Sequence, residues 1–196
     1  MSTRDQILNA VLNNQPPATE LPDISMFTGD VDGVVQKYIQ VFNTIGGTAC
    51  LVSNYEEIAS RISADYDTTK RVVTSLPQLA AHYEIISPAV DPHTYEDVEV
   101  AVIKAHFGVA ENGAVWLTDE LMVQRIIPYI CQHLAVVITA ESIVPTLHEA
   151  YEIIGAGSYG FGGFIAGPSK TADIEQALVL GAHGPLSMSV FVLQEQ

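Results

Sequence analysis

The densest set of chemistry-bearing residues lies in residues 164–185. There an apolar run enters Gly167-Pro168, polar groups follow at Ser169, Thr171, Asp173 and Glu175, and the stretch closes on Gly181, His183, Gly184 and Pro185. That order reads as a strand delivering its end to a loop where a helical turn begins. Ser169 or Thr171 can cap the turn, and Asp173 and Glu175 place negative charge where a helix dipole favours it. Backbone N–H groups at such a turn also suit an anionic ligand, so Gly167, Ser169 and Thr171 read equally as a pocket rim. Capping alone explains the residue types.

Three further residues are candidates. Glu111 precedes Asn112-Gly113 at the tip of an apolar hairpin, where a carboxylate is either solvated or available as general base or nucleophile. Arg125 is one of four arginines in the chain. It either clamps a carboxylate or phosphate bidentately or pairs on the surface with Asp119 or Glu120. His183, between Gly181-Ala182 and Gly184, either caps its own turn or faces a ligand that the glycines let approach. The other histidines, His82, His93, His106, His133 and His148, have no HExxH or similar spacing, so no metal site is expected. Ser169 is not in a Gly-x-Ser-x-Gly elbow, which removes support for a hydrolase triad. The glycine-rich run at 155–163 precedes a strand, whereas a dinucleotide fingerprint follows one. It reads as a mobile loop that covers a pocket.

Composition narrows the classes. Lys and Arg total 8 against 23 Asp and Glu, a formal charge of −15, so nucleic acid and anionic membranes are excluded as partners. The acid is spread along the chain as a solvated surface. Cys50 and Cys131 stand in apolar contexts far apart and read as buried thiols. With no CxxC the chain cannot hold a four-thiolate iron–sulfur cluster, so no cofactor is expected in it. The N-terminus lacks the apolar core of a secretory signal and no run reaches the roughly 20 apolar residues of a membrane span. A cytoplasmic protein is the expectation.

The elements that position these residues follow from periodicity. Residues 1–196 suit one domain with 48% hydrophobic residues. A helix at about 3–13 carries Ile7, Leu8, Val11 and Leu12 on one face; it packs on the domain or, being peripheral, reaches to a partner, and packing is expected. A helix from Val34 ends at Gly46-Gly47, a strand covers 48–52, Asn54 caps a helix to about Ser63, and a strand covers 71–76. Residues 83–86 form a short β-prone stretch. The start of 98–110 reads as helical, and Asn112-Gly113 reads as a type I′ turn joining two antiparallel strands. A helix at 121–127 is punctuated by Pro128, a strand covers 134–139, Ser142 with Pro145 opens a helix to about Ile154, and 187–193 is the last strand. The alternation predicts an α/β fold with an open, mostly parallel sheet and an antiparallel hairpin.

Two segments carry a family resemblance. Gly167-Pro168-Ser169-Lys170-Thr171-Ala172-Asp173-Ile174-Glu175, followed by residues 178–185, resembles the C-terminal signature of the lactate-utilisation (LUD) domain family, in its lactate-utilisation protein C branch. Residues 107–118 resemble its second hallmark, a small apolar run entering Glu-Thr-Gly. Glu111 and Gly113 carry over, while Asn112 stands where threonine is usual. An arginine shortly before a Leu/Ile-Pro, as Arg125 is, also looks typical. The passage at 155–163 departs from the family in its glycine content.

The resemblance implies the isomerase/deaminase/CoA-transferase-like (NagB/RpiA/CoA transferase-like) fold. It implies a cofactor-free subunit of an L-lactate oxidation system. Iron–sulfur partner subunits handle the electrons, and this chain supplies a pocket for a small anionic ligand or an assembly surface. On that reading Glu111 is the catalytic candidate, and Asn112, Gly113, Arg125, Gly167, Ser169, Thr171, Asp173, Glu175, His183 and Gly184 bind ligand. Two alternatives stay open: a stand-alone isomerase or CoA-transferase-like enzyme on a sugar phosphate or acyl-CoA, and a non-catalytic small-molecule binding module. Self-association into a homo-oligomer is also left open.

Overall fold

The computed structural model describes residues 2–171 and 179–194. In chain order its elements are α1 (Thr3–Asn13), α2 (Val34–Thr44), β1 (Thr48–Val52), α3 (Tyr55–Asp65), β2 (Arg71–Thr74), β3 (Glu84–Ile85), β4 (Val98–Lys104), β5 (Phe107–Val109) and β6 (Ala114–Thr118). There follow α4 (Asp119–Met122), α5 (Ile127–Ile130), β7 (His133–Thr139), β8 (Ile143–Val144), α6 (Leu147–Ile154), β9 (Gly162–Ile165), β10 (Lys170–Thr171), β11 (Val179–Leu180) and β12 (Ser187–Leu193).

The central sheet is wholly parallel, in the order β1-β12-β7-β4-β2-β3. Its strands bury both faces, which is why they read as continuous Val/Ile-rich runs. Leu134, Val136 and Ile138 of β7 enter one core with Tyr38 and Phe42 of α2, while Ala135 and Val137 enter the other with Ile58 and Ile62 of α3. The expected hairpin is present, but it belongs to a second sheet, β8-β5-β6-β9, that lies on the α2 side. Its outer face, with Phe107, Val109 and Trp116, is covered by α6 through Ala150 and Leu147.

Several local expectations are corrected. Residues 98–104 form a strand, because the β-branched residues of Val-Glu-Val-Ala-Val-Ile fill both cores between β2 and β7. The hairpin loop is not a two-residue type I′ turn. It spans four residues, 110–113, with Gly113 N–H donating to the Val109 carbonyl (2.9 Å). Gly113 there takes a positive φ of 73° and Asn112 does not; the Asn112 Oδ1 instead accepts from Ala114 N–H (3.0 Å). The expected 121–127 helix is broken at Val123, and Pro128 stands in the first turn of α5 instead of ending a helix. Ser142 does not open α6: it sits in a 3-10 turn (Ala140–Ser142), donating to the Thr139 carbonyl. Thr146 is the N-cap, accepting from Glu149 N–H.

Val123 is the sharpest backbone feature. Its φ of 63° and ψ of −48°, with Gln124 N–H donating to the Met122 carbonyl at 2.7 Å, make a γ-turn of the strained hand. A β-branched residue pays on the order of 1–3 kcal/mol to sit there.

Contrary to expectation, α1 buries no side chain against the described residues. A capping box between Ser2 and Asp5 holds its first turn, yet it contains no buried residue, and Leu12 is 65% exposed. The arm that follows is anchored near its end, where Phe27 stacks on His148 (5.4 Å) and Gly29 N–H donates to Glu149 (3.1 Å).

Candidate functional site

The two segments that carry the resemblance converge on the C-terminus of α2. A Cβ built on Gly113 would lie 3.2 Å from the Phe42 Cα and 3.1 Å from Ile45 Cδ1. One on Gly167, whose φ is 78°, would lie 3.3 Å from the Ile45 carbonyl oxygen. Lys170 Nζ donates to that same carbonyl, a cation where the helix dipole is negative. Ser169 N–H donates to the Pro185 carbonyl (3.0 Å), its carbonyl accepts from Gly181 N–H (3.1 Å), and Gly184 lies against its side chain. Gly113, Gly167, Ser169 and Gly184 therefore share one neighbourhood.

The helical turn expected after Thr171 lies outside the described residues. Lys170 and Thr171 pair as a strand with Leu180 and Val179, so Ser169 caps no helix there and Thr171 lies in β10. The backbone bonds of Ser169 to 181 and 185 hold the loop in antiparallel form. Asp173 and Glu175 lie outside the described residues. His183 is exposed in the turn after β11.

Glu111 has a structural partner. Its Oε2 accepts from Leu147 N–H at 2.8 Å, satisfying an otherwise orphaned donor in the first turn of α6. Arg125 is held elsewhere. Its Nη2 donates to Asp119 Oδ2 (2.8 Å), its guanidinium lies 5.8 Å from the Phe161 ring centroid, and its side chain is 61% exposed. The surface pairing, one of the two alternatives for Arg125, is the one observed, and Arg125 holds the Asp119 carboxyl below its usual range. Because Thr118 pairs with Gly162 and Val115 with Ile165, Arg125 and Gly167 stand at opposite ends of the β6–β9 pair.

Sequence reasoning missed the cleft at the Arg125 end. It encloses about 620 Å³ between Phe107, Trp116, His106, Thr118, Glu120 and the 157–160 loop. His106 Nε2 and Thr118 Oγ1 are 2.8 Å apart. Burial pushes the His106 imidazole below its ordinary value; Glu120 opposes that and Lys104 adds to it. The glycine run lines this cleft, and close packing demands the glycines. A Cβ on Gly160 would lie 2.6 Å from Asp119 Oδ2, and one on Gly162 would lie 2.7 Å from the Trp116 ring. No short motif marks the cleft, since its residues come from three separate segments.

Among the described residues no group of three His, Cys, Asp or Glu side chains is arranged to hold a metal ion. Both cysteines are free thiols, and burial pushes Cys131 up to about 12. No helix among the described residues is long and apolar enough to cross a membrane.

Comparison with known proteins gives a consistent set of relatives. Residues 92–193 match the model of the LUD domain. Lactate utilization protein C of Geobacillus kaustophilus is 24% identical over 203 aligned residues, covering 99% of this chain and 81% of that protein. Lactate utilization protein C 1 of Bacillus mycoides is 30% identical over 94 residues, 45% of this chain and 40% of that protein. Lactate utilization protein C of Bacillus subtilis is 28% identical over 107 residues, 52% of this chain and 45% of that protein. In these two alignments the chain spans less than half of the relative's length. Among solved structures, a DUF162 family protein from Deinococcus radiodurans superposes with a TM-score of 0.64 at 16% identity, over 83% of this chain and 97% of that one. That likeness carries the α/β fold.

Proposed function

Because the chain belongs to the LUD domain family, we propose that it serves L-lactate utilisation as a cofactor-free subunit beside iron–sulfur partner proteins. The observation that carries this reading is the alignment with a lactate utilization protein C along 99% of the chain. In this reading the protein works in the cytoplasm. The neighbourhood of Gly113, Gly167, Ser169 and Gly184, completed by Asn112, Thr171 and His183, is its anion-holding turn or docking surface. A stand-alone isomerase or transferase needs Glu111 as a free base or nucleophile, and the bond from Leu147 N–H to that carboxylate favours the subunit reading over it.

The test is an anaerobic affinity pull-down of the tagged chain from its own cells, with mass spectrometry of the captured proteins and L-lactate-dependent dye reduction by the eluate. Cysteine-rich iron–sulfur partners and lactate-dependent reduction are expected. A chain recovered alone, with no such activity, overturns the reading and turns the search to sugar phosphates and acyl-CoAs.

A further inference from the structure

The chain leaves two neighbouring strands of the parallel sheet in opposite directions. From β2 it continues outward to β3 at the sheet edge; from β4 it runs the other way, through the four-stranded sheet, to β7. In open α/β sheets, the crevice outside the carboxyl ends of two such strands is where ligands bind. Here that crevice is a recess of about 270 Å³, lined by Ser75, Gln78, Lys104, Glu120 and Val123 among others. Ser75 and Lys104 stand at the strand ends: Ser75 N–H donates to the Val102 carbonyl (3.1 Å), and Ala105 N–H to that of Val137 (3.0 Å).

Two independent features make the recess more than a surface dimple. Its wall includes Val123, whose γ-turn is a backbone state that persists only when its surroundings impose it, and such states gather at ligand clamps. Its charges are also unspent. In a chain of formal charge −15, Lys104 makes no ion pair among the described residues, whereas Lys70 is joined to Glu99 at 2.9 Å. Lys104 and Glu120 line the recess together without pairing, and both fields are felt at the neighbouring His106.

A cation and a carboxylate that line one small recess without pairing suit a ligand that offers one group to each. We propose that the recess binds a small 2-hydroxycarboxylate, with its carboxylate on Lys104 and its hydroxyl donating to Glu120. The site is distinct from the Gly167–Ser169 neighbourhood. The proposal deepens the lactate-utilisation reading, on which the identity of the hydroxy acid rests.

The test is backbone-amide NMR titration of the whole chain with L-lactate, pyruvate, acetate and neutral lactamide. L-Lactate is expected to shift Ser75, Lys104, Glu120 and Val123, with lactamide failing to do so. Lys104→Gln should weaken L-lactate by about tenfold or more, the loss of a charge-assisted hydrogen bond, with an unchanged melting temperature. Glu120→Ala should weaken L-lactate more than pyruvate, which has no hydroxyl to donate. Binding that ignores Lys104→Gln, shifts confined to Gly167 and Ser169, or no shift with any carboxylate overturns the recess. Failure of the wider reading looks different: lysine-dependent binding of a carboxylate by a chain that captures no iron–sulfur partner leaves the recess standing without the pathway.

Discussion

Glu111 shows how one residue can satisfy two descriptions. Its types and neighbours mark it as a candidate base, yet its carboxylate is an acceptor for the first turn of α6. Glu111→Ala is therefore expected to cost about 1 kcal/mol in urea denaturation, the usual worth of a helix-end acceptor, and Glu111→Gln, which keeps an acceptor oxygen, clearly less. Equal losses would show that charge, and not the hydrogen bond, is what α6 uses. The histidines make a second prediction. His106, facing Thr118, Glu120 and Lys104, and His133, facing Ser187, Glu99, Lys70 and the Tyr66 ring, both have proton affinities lowered first by burial. The unfolded chain then binds protons more readily than the folded one. Their contribution is complete above the unfolded value of 6.5 and is lost as pH falls through the lower folded values. Melting curves at about pH 7.5 and about pH 5.5 should show the parent losing more stability than the doubly substituted His106→Asn, His133→Asn chain. Parallel losses would exonerate both imidazoles.

At the scale of elements, legibility followed how local each determinant was. β1, β7 and β12 are readable because each is a short apolar run rich in strand-forming residues and bounded by polar or glycine residues, and α3 because Asn54 supplies its cap in place. Residues 98–104 were misread because Glu99, Ala101 and Lys104 suit a helix; pairing with β2 and β7, set by distant residues, decides the matter. Ser142 and Thr146 are equally good caps by type. Pairing of Ile143 and Val144 with β5 removes the first from contention. Gly113 and Gly167 were legible as glycines with a purpose, whereas Ser75 and Lys104 become neighbours only through a strand order that the local pattern does not contain. For α1, an apolar stripe on a short helix suggests packing, yet among the described residues none of its side chains is buried. A chain lacking residues 2–14 is accordingly expected to melt within a degree or two of the parent by circular dichroism, since it gives up no buried side chain. A large drop would mean that the stripe is covered in solution.

Over the whole molecule, two cores flank one parallel sheet and a smaller sheet rides on one of them, so the signature neighbourhood stands apart from the other two catchments for function, which share Glu120 as a common wall. The signature neighbourhood lies at the end of α2, the recess outside β2 and β4, and the aromatic cleft beyond β6. An overall charge of −15 means that any protein seated on this surface meets a repulsive field unless it brings basic groups, and that its association rate is set by ionic strength. The cleft has one more property. Trp116 is the chain's single tryptophan, and its ring is touched by the backbone at Gly162 and by Tyr159 at a centroid distance of 5.5 Å. Tryptophan emission, excited selectively over the eight tyrosines, is thus a one-site signal. Its emission wavelength reads the wetness of the cleft, and its quenching by acrylamide reads solvent access past the glycine segment, with no label added.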